Sequence, residues 1–266
     1  MSQDLEQALK LAERAARTGG QLALYHFRKG IDARRKPDGS PVTDADISAE
    51  KAIRNVLEEG MPGVPVLGEE MGGGSPDQAA TGSRWIVDPI DGTRNFIKGI
   101  PIFATLVALE RDGECVVGAS YAPAMGDMTS AARGLGCRCN DRPVRVSDVD
   151  SLQQAFFLFG GINGLLQPES EKRFLALMNK TDRQRSFGDY YGHQLVALGR
   201  AEMMLETGIH PWDIAPFKII IEEAGGRFTD LSGQPSIYNG SALATNGRLH
   251  DEVLSIWNGS PAPSGG

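Results

Sequence analysis

Two carboxylates, Asp88 and Asp91, lie three residues apart directly after an apolar run in residues 85–96, which read WIVDPIDGTRNF. Ionised carboxylates are the oxygen ligands that Mg²⁺ prefers in proteins. Gly92 and Thr93 follow at once, and their backbone amides would face an anion if a short helix began there. The segment therefore predicts a place where divalent cations and a phosphate group bind together. A plain polar turn is an equally good interpretation of the segment taken alone.

The two residues between Asp88 and Asp91 determine whether the two carboxylates lie close together. Pro89 and Ile90 are expected to turn the chain at the end of the strand, so that both carboxylates approach one point. The carbonyl of Ile90 can add a further oxygen ligand. Asp91 is also placed to cap a short helix that starts at Gly92.

Three other segments put an acidic group where a strand ends or a helix begins. Residues 68–70 (GEE) follow a predicted strand, and strand tips are where open α/β sheets build their sites. Asp213 precedes a predicted helix and is expected to be its N-cap. Thr43 and Asp46 open another helix as a capping box. Caps and solvated charges are the ordinary interpretations. In the functional interpretation, Asp213 is a cation ligand. Asp46 would be an acid that polarises water through a hydroxyl partner.

The elements that must position these groups follow from the hydrophobic periodicity. The expected helices span residues 4–28, 43–59, 171–178, 192–201 and 213–224, with Pro216 in the first turn of the last one. The expected strands span residues 64–67, 84–87, 103–111, 115–121, 127–132, 137–139, 156–159 and 203–206. Asp112 and Gly113 predict a hairpin turn between the third and fourth of these strands.

The chain of 266 residues, 41% of them hydrophobic, is long enough for two subdomains in one compact unit. We expect an N-terminal α+β subdomain with most of the metal ligands at residues 1–150. A C-terminal α/β subdomain with the substrate-recognition segments is expected at residues 151–257. A turn cluster is expected at residues 36–41, and a disordered tail at residues 258–266.

Composition excludes several classes of protein. The formal net charge of −7 disfavours nonspecific nucleic-acid binding. Three cysteines without a secretory segment argue against a disulfide framework or a zinc ribbon. The absence of a membrane-spanning apolar run and of a signal-peptide core predicts a cytoplasmic location. The four histidines form no nucleophile triad, and neither a Walker loop nor a dinucleotide fingerprint is present.

Four segments in order resemble the inositol monophosphatase family over roughly residues 5–256. They are residues 68–70 (GEE), 88–96 (DPIDGTRNF), 208–215 (GIHPWDIA) and 222–226 (EEAGG). The resemblance implies an α/β fold, a layered α-β-α-β-α sandwich of the inositol monophosphatase and sugar phosphatase type. It also implies Mg²⁺-dependent hydrolysis of a small phosphate monoester by a homodimer. Inhibition by Li⁺, which would displace a weakly held Mg²⁺, is a further expectation.

The same resemblance implies a role for each motif residue. One Mg²⁺ would be held by Glu69, Asp88 and the Ile90 carbonyl, a second by Asp88, Asp91 and Asp213, and a weaker third would use Glu69. Gly92 and Thr93 would bind the phosphate through their amides. Asp46, Glu69 and Thr93 would be the catalytic residues, with Asp46 and Thr93 helping to activate the attacking water. Two such ions can stabilise the attacking and leaving oxygens of an in-line displacement.

The substrate is indicated by residues 188–192 (GDYYG), which resemble the histidinol-phosphate phosphatase branch of the family. The resemblance places Arg185, Asp189 and Glu206 at the substrate, and two carboxylates suit a cationic alcohol such as histidinol. The structural alternative is that Asp189 only caps a helix. Inositol 1-phosphate is the runner-up substrate. A non-catalytic interaction protein is the alternative of another class, but the acidic balance and the complete ligand set favour an enzyme.

Overall fold

The computed structural model describes residues 2–30, 33–35 and 41–259 of the chain. The predicted turn cluster at residues 36–41 lies outside the described residues except for Pro41. The predicted disordered tail lies outside them from residue 260 onward. Asn258, which was expected to begin that tail, instead closes the last helix.

Seven α-helices are formed by the described residues. They are α1 (Ser2–Lys29), α2 (Asp44–Gly60), α3 (Thr93–Ile97), α4 (Glu171–Lys180), α5 (Asp189–Ala197), α6 (Pro211–Glu223) and α7 (His250–Asn258). A 3₁₀ turn, Leu152–Gln154, precedes the second half of the chain.

The strands fall into three sheets. A two-stranded ribbon pairs β1 (Ala33–Arg35) with β2 (Pro41–Thr43). The seven-stranded sheet runs in chain order through β3 (Val66–Gly68), β4 (Ser83–Asp91), β5 (Ala104–Arg111), β6 (Glu114–Ala122), β7 (Asp127–Ala132), β8 (Gly136–Cys139) and β9 (Arg142–Pro143). The five-stranded sheet contains β10 (Phe156–Phe159), β11 (Arg183–Arg185), β12 (Met203–Thr207), β13 (Arg227–Thr229) and β14 (Ser241–Thr245), in the order β11-β10-β12-β14-β13.

The helices and sheets stack in five layers that are held together by apolar clusters. The apolar stripe of α1 packs with Ile53 and Leu57 of α2 on one face of the seven-stranded sheet, against Trp85 and Val107. The other face packs against α5 and α6, which also cover the five-stranded sheet. Helices α4 and α7 close the far face of that second sheet. The predicted α-β-α-β-α sandwich is thereby confirmed. The division at residue 150 stays a prediction, and α6 packs against both sheets.

Helix α6 is apolar on nearly all sides because it lies between two sheets. Residues 214–221 are all buried, which is the pattern of a fully enclosed helix. Pro216 was expected in the first turn, but α6 begins at Pro211, so Pro216 is the sixth residue and lies in the helix interior. There it lacks the amide that would bond to the preceding turn. Its backbone lies against Gly118 of β6, where a Cβ would not fit.

Candidate active site

The two aspartates of the opening motif meet because strand β4 carries a bulge. The strand continues through Asp91 rather than turning at Pro89 and Ile90 as expected. Asp88 pairs with Leu106 of β5 and Asp91 pairs with Ala104, so three steps along β4 match two along β5. Residues three apart in a regular strand point to opposite faces. One extra residue reverses this alternation and brings both carboxylates to the same side.

A third carboxylate reaches the same place from the start of α6. Oxygens of Asp88, Asp91 and Asp213 all lie within 4.8 Å of one another. Asp213 was expected to be the N-cap, but the N-cap is His210, and Asp213 is the third helical residue. One oxygen of Asp213 accepts a hydrogen bond of 2.7 Å from the His210 amide.

Asp88 and Asp91 are buried and Asp213 is half-buried, and the three carboxylates repel one another. Burial is the largest cause that raises the pKa of Asp88, Asp91 and Asp213 well above the usual range. Neighbouring carboxylates raise the pKa of each further, Glu69 acting on Asp88 and Asp213, and Asp189 acting on Asp91. A divalent cation relieves this repulsion, and an all-oxygen donor set is the one that a hard cation takes. The cluster therefore fits a divalent metal centre.

The segment after Asp91 forms one end of the cleft. Helix α3 has Gly92 as its N-cap with no side-chain cap, so the expected cap at Asp91 is wrong. Asp91 instead accepts a hydrogen bond of 2.5 Å from the amide of Tyr190 on α5. Gly92 has a φ of 84°, and a Cβ there would press on the carbonyl of Ile102. The Thr93 hydroxyl donates to the Ile90 carbonyl at 2.9 Å.

Glu69 is held in the cleft by a buried residue that the sequence motifs do not contain. Glu50 of α2 is fully buried, and its carboxylate accepts from the amides of Glu70 at 2.8 Å and Met71 at 3.2 Å. Arg54 bonds both to Glu50 and to the carbonyls of residues 66 and 72. These bonds fix the turn that carries Glu69. The signal for Glu50 was its helical spacing of four residues from Asp46, on the buried face of α2.

Asp46 forms the predicted capping box and is buried beside the cleft. Its Oδ2 accepts from the amide of Thr43 at 2.7 Å and from the Thr43 hydroxyl at 2.6 Å. Its Oδ1 has no hydrogen-bond partner within the described part of the chain. Burial is the main cause that raises the pKa of Asp46 to about 6, and the charge of Glu69 raises it further.

The cleft has a volume of about 560 Å³. It is lined by Glu69, Asp88, Ile90, Asp91, Gly92, Thr93, Arg94, Asn95, Gly161, Asn163, Asp189, Glu206, Thr207, Gly208, Ile209, His210, Trp212 and Asp213. Of the residues predicted for the site, only Asp46 and Arg185 are not in the lining. No role was predicted for Asn95, although it lies in the 88–96 motif, or for Asn163, because an amide side chain carries no sequence signal of its own.

The two carboxylates expected at the substrate do lie in the cleft, but Arg185 does not. Asp189 accepts from the Asn95 side-chain amide at 3.1 Å. Arg185 is exposed on edge strand β11, and its guanidinium donates to the carbonyl of Gln184. Arg185 lies outside the cleft lining because strand β11 is at the outer edge of the five-stranded sheet. The cleft geometry does not place Arg185 at the substrate, and its role there stays a prediction.

Helix α5 begins earlier than predicted, at Asp189 rather than residue 192, and ends at Ala197 rather than residue 201. Its N-cap is Gly188, so Asp189 is not a cap. Asp189 has a φ of 56°, an unusual value for a residue with a side chain. Such backbone conformations persist where the surrounding structure holds them, and they cluster at functional sites.

The sequence matches the model of the inositol monophosphatase family over residues 4–260. The chain belongs to this family. It is 43% identical to a histidinol-phosphatase of Mycobacterium tuberculosis, over 96% of this chain and 98% of the relative. It is 34% identical to an inositol-1-monophosphatase of Mesorhizobium japonicum, over 94% of this chain and 92% of the relative.

Solved structures agree with this membership. The structure of an inositol monophosphatase from Anabaena superposes with a TM-score of 0.84 at 30% identity, covering 98% of each chain. The inositol monophosphatase family comprises metal-dependent phosphatases, and this chain is accordingly a hydrolase of phosphate monoesters. No helix within the described ranges is long and apolar enough to cross a membrane.

Proposed function

We propose that this chain hydrolyses L-histidinol phosphate to L-histidinol and phosphate with the help of Mg²⁺. The observation that carries the proposal is the placement of Asp189 and Glu206 in the same cleft as the aspartate cluster. The cluster suits the metal and the phosphate, and the second carboxylate pair suits a cationic alcohol. Relatives named histidinol-phosphatase, 37–43% identical over nearly their whole length, support this choice of substrate.

The metal ions would be held by the carboxylates of Glu69, Asp88, Asp91 and Asp213 together with the Ile90 carbonyl. Bound Mg²⁺ supplies Lewis acidity that stabilises the charge developing on the attacking and leaving oxygens. Two or three ions per site are proposed, following the family resemblance. The family resemblance places Glu69 in this set, and Glu50 fixes the turn on which Glu69 lies.

Thr93 and Asp46 are proposed to prepare the attacking water. The Thr93 hydroxyl donates its hydrogen bond to the Ile90 carbonyl. Its oxygen can therefore only accept a hydrogen bond from a water molecule. Asp46 has a free oxygen and a pKa of about 6, which suits a group that takes up a proton near neutral pH. The amides of Gly92 and Thr93 would bind the phosphate at the start of α3.

Inositol 1-phosphate is the alternative substrate, because relatives named inositol-1-monophosphatase share the family and the fold. The alcohol part of inositol phosphate is neutral, and it would leave Asp189 and Glu206 without a counter-charge. We also propose that the enzyme is cytoplasmic, forms a homodimer and has no nucleic-acid partner.

The substrate proposal is tested by measuring phosphate release from L-histidinol phosphate and from inositol 1-phosphate side by side at saturating Mg²⁺. We expect kcat/KM to be higher for L-histidinol phosphate by about tenfold or more, as one well-placed charge can discriminate to that extent. A preference for inositol 1-phosphate would contradict the assignment and make it an inositol monophosphatase.

The metal proposal predicts that the stabilisation by Mg²⁺ shrinks as the pH falls from 8 to 5. Raised pKa values mean that the folded, metal-free protein gains stability as pH falls and the cluster takes up protons. For Asp46 and Asp189 this occurs from about pH 6 downward. Protons then relieve the repulsion that the metal relieves at pH 8. The difference in Tm between protein with and without Mg²⁺ should be a few degrees smaller at pH 5 than at pH 8.

Comparing Tm with and without Mg²⁺ cancels the effect of His250, which changes stability with pH in the opposite direction. Burial lowers the pKa of His250 to about 4, so this residue destabilises the fold below pH 6.5. His250 lies on α7, and its effect is the same with and without metal, so it cancels. A difference that stays constant from pH 5 to 8 would count against metal binding at the aspartate cluster.

A further inference from the structure

His193 is a buried titratable side chain that the proposed hydrolysis does not use. It lies on α5 with no solvent exposure. Its ring stacks on Phe217 of α6, with centroids 5.3 Å apart and an angle of 23° between the planes. Phe228 of β13 lies on another side, with its centroid 6.3 Å away. A polar ring placed between two aromatic rings needs a partner for its nitrogens.

That partner is the carboxylate of Glu206. Nε2 of His193 lies 3.2 Å from Oε2 of Glu206. Nδ1 of His193 has no hydrogen-bond partner among the described residues. A proton on Nε2 therefore makes the contact attractive. The opposite tautomer would set two lone pairs against each other and bury an unpaired N–H. The geometry thus selects the tautomer in which His193 donates to Glu206.

Glu206 is held on its other side as well. Its Oε1 accepts from the amide of Asp189 at 3.3 Å. The backbone of Gly160 lies so close to this oxygen that a Cβ there would overlap it. The Glu206 side chain is only 9% exposed, and the residue lines the cleft. Its carboxylate is therefore oriented by donors on both sides.

Both donors belong to one helix. Asp189 and His193 are four residues apart on α5, so they lie on the same face of the helix. Asp189 brings one carboxylate into the cleft, and its own amide together with His193 holds the second carboxylate beside it. Two neighbouring carboxylates repel each other, and the His193 donor counters the tendency of Glu206 to swing away.

We infer that His193 is a positioning residue that fixes the Glu206 carboxylate in the cleft and so sets the preference for a phosphate ester with a cationic alcohol. This inference rests on the proposed function. His193 does not touch the substrate in this arrangement and acts through Glu206. Its contribution should therefore appear in KM for a cationic ester rather than in kcat.

The test is the ratio of kcat/KM for L-histidinol phosphate to that for inositol 1-phosphate in three variants. We expect H193L, which cannot donate to Glu206, to lower the ratio about tenfold, mainly through KM for L-histidinol phosphate. H193Q, whose side-chain amide can donate, should keep most of the wild-type ratio. His250→Leu is the matched control, since His250 is equally buried but bonds to Thr229 and Thr245. It should lower Tm and leave the ratio unchanged.

A ratio of two substrates measured on one preparation does not depend on the fraction of folded enzyme, so a destabilised variant still gives a result. If H193L keeps the substrate ratio of the wild type, the inference is overturned and the proposed function stands. If the wild-type enzyme itself shows no preference for L-histidinol phosphate, the inference and the proposed function are both overturned. The same loss of ratio in H193L and H193Q would also contradict a role that depends on donation to Glu206.

Discussion

Asp91→Asn is expected to lower Mg²⁺-dependent turnover by about a thousandfold or more, because a metal ligand worth several kcal/mol in the transition state is lost. The asparagine keeps the shape of the side chain, and its carbonyl oxygen can still accept from the Tyr190 amide. The fold should therefore survive. The measurement is kcat for L-histidinol phosphate at saturating Mg²⁺.

The Tm of the metal-free variant and the activity of a control variant show whether Asp91→Asn loses a metal ligand or unfolds. The metal-free Asp91→Asn protein should melt at or above the wild-type Tm, because burial and neighbouring charges disfavour the ionised carboxylate. Asp141→Asn is the control, since Asp141 is exposed, does not line the cleft and has a φ of 63° that asparagine tolerates. It should retain full activity. Near-normal turnover by Asp91→Asn would refute the assignment of this residue as a ligand.

Asp189→Asn is expected to lower kcat/KM for L-histidinol phosphate by about ten- to hundredfold, since it removes one of two charges that face a cationic alcohol. Turnover of inositol 1-phosphate should be unchanged or improved. Asparagine also tolerates the positive φ at this position and can still accept from Asn95. The measurement is the kinetics of both esters.

The sign of the pH dependence gives a second readout for Asp189. Burial and the charge of Glu206 raise the pKa of Asp189 to about 6, while His193 and Arg94 lower it. Binding of the cationic ester should therefore strengthen as the pH rises through about 6, and this rise should be absent in Asp189→Asn. Asp182→Asn, at an exposed position just before β11, serves as the control with wild-type behaviour. Equal losses for both esters would contradict a role in recognising charge.

The hairpin at Asp112 and Gly113 could be predicted because its signals are local, whereas the layered fold was expected from the resemblance to the inositol monophosphatase family. Nearly continuous buried runs form β5 and β6, and the two turn residues have φ values of 49° and 84°. The family resemblance placed Glu69 and Asp213 at one metal site, and both residues line the cleft. Their roles stay predictions.

The remaining features depend on contacts between distant elements. The bulge that aligns Asp88 with Asp91 is set by the register of β4 on β5, which single-strand periodicity does not encode. Pro216 is accommodated in the interior of α6 beside Gly118, a contact between residues far apart in the chain. The pairing of His193 with Glu206 joins α5 to β12. Its only sequence signal was the four-residue spacing from Asp189.

The most direct test of metal-dependent hydrolysis in this cleft is phosphate release from L-histidinol phosphate by protein stripped with EDTA, followed as Mg²⁺ is titrated back. We expect no release above background without metal and a saturable recovery with Mg²⁺. Full release by the stripped protein, or none at saturating Mg²⁺, would contradict the proposed function.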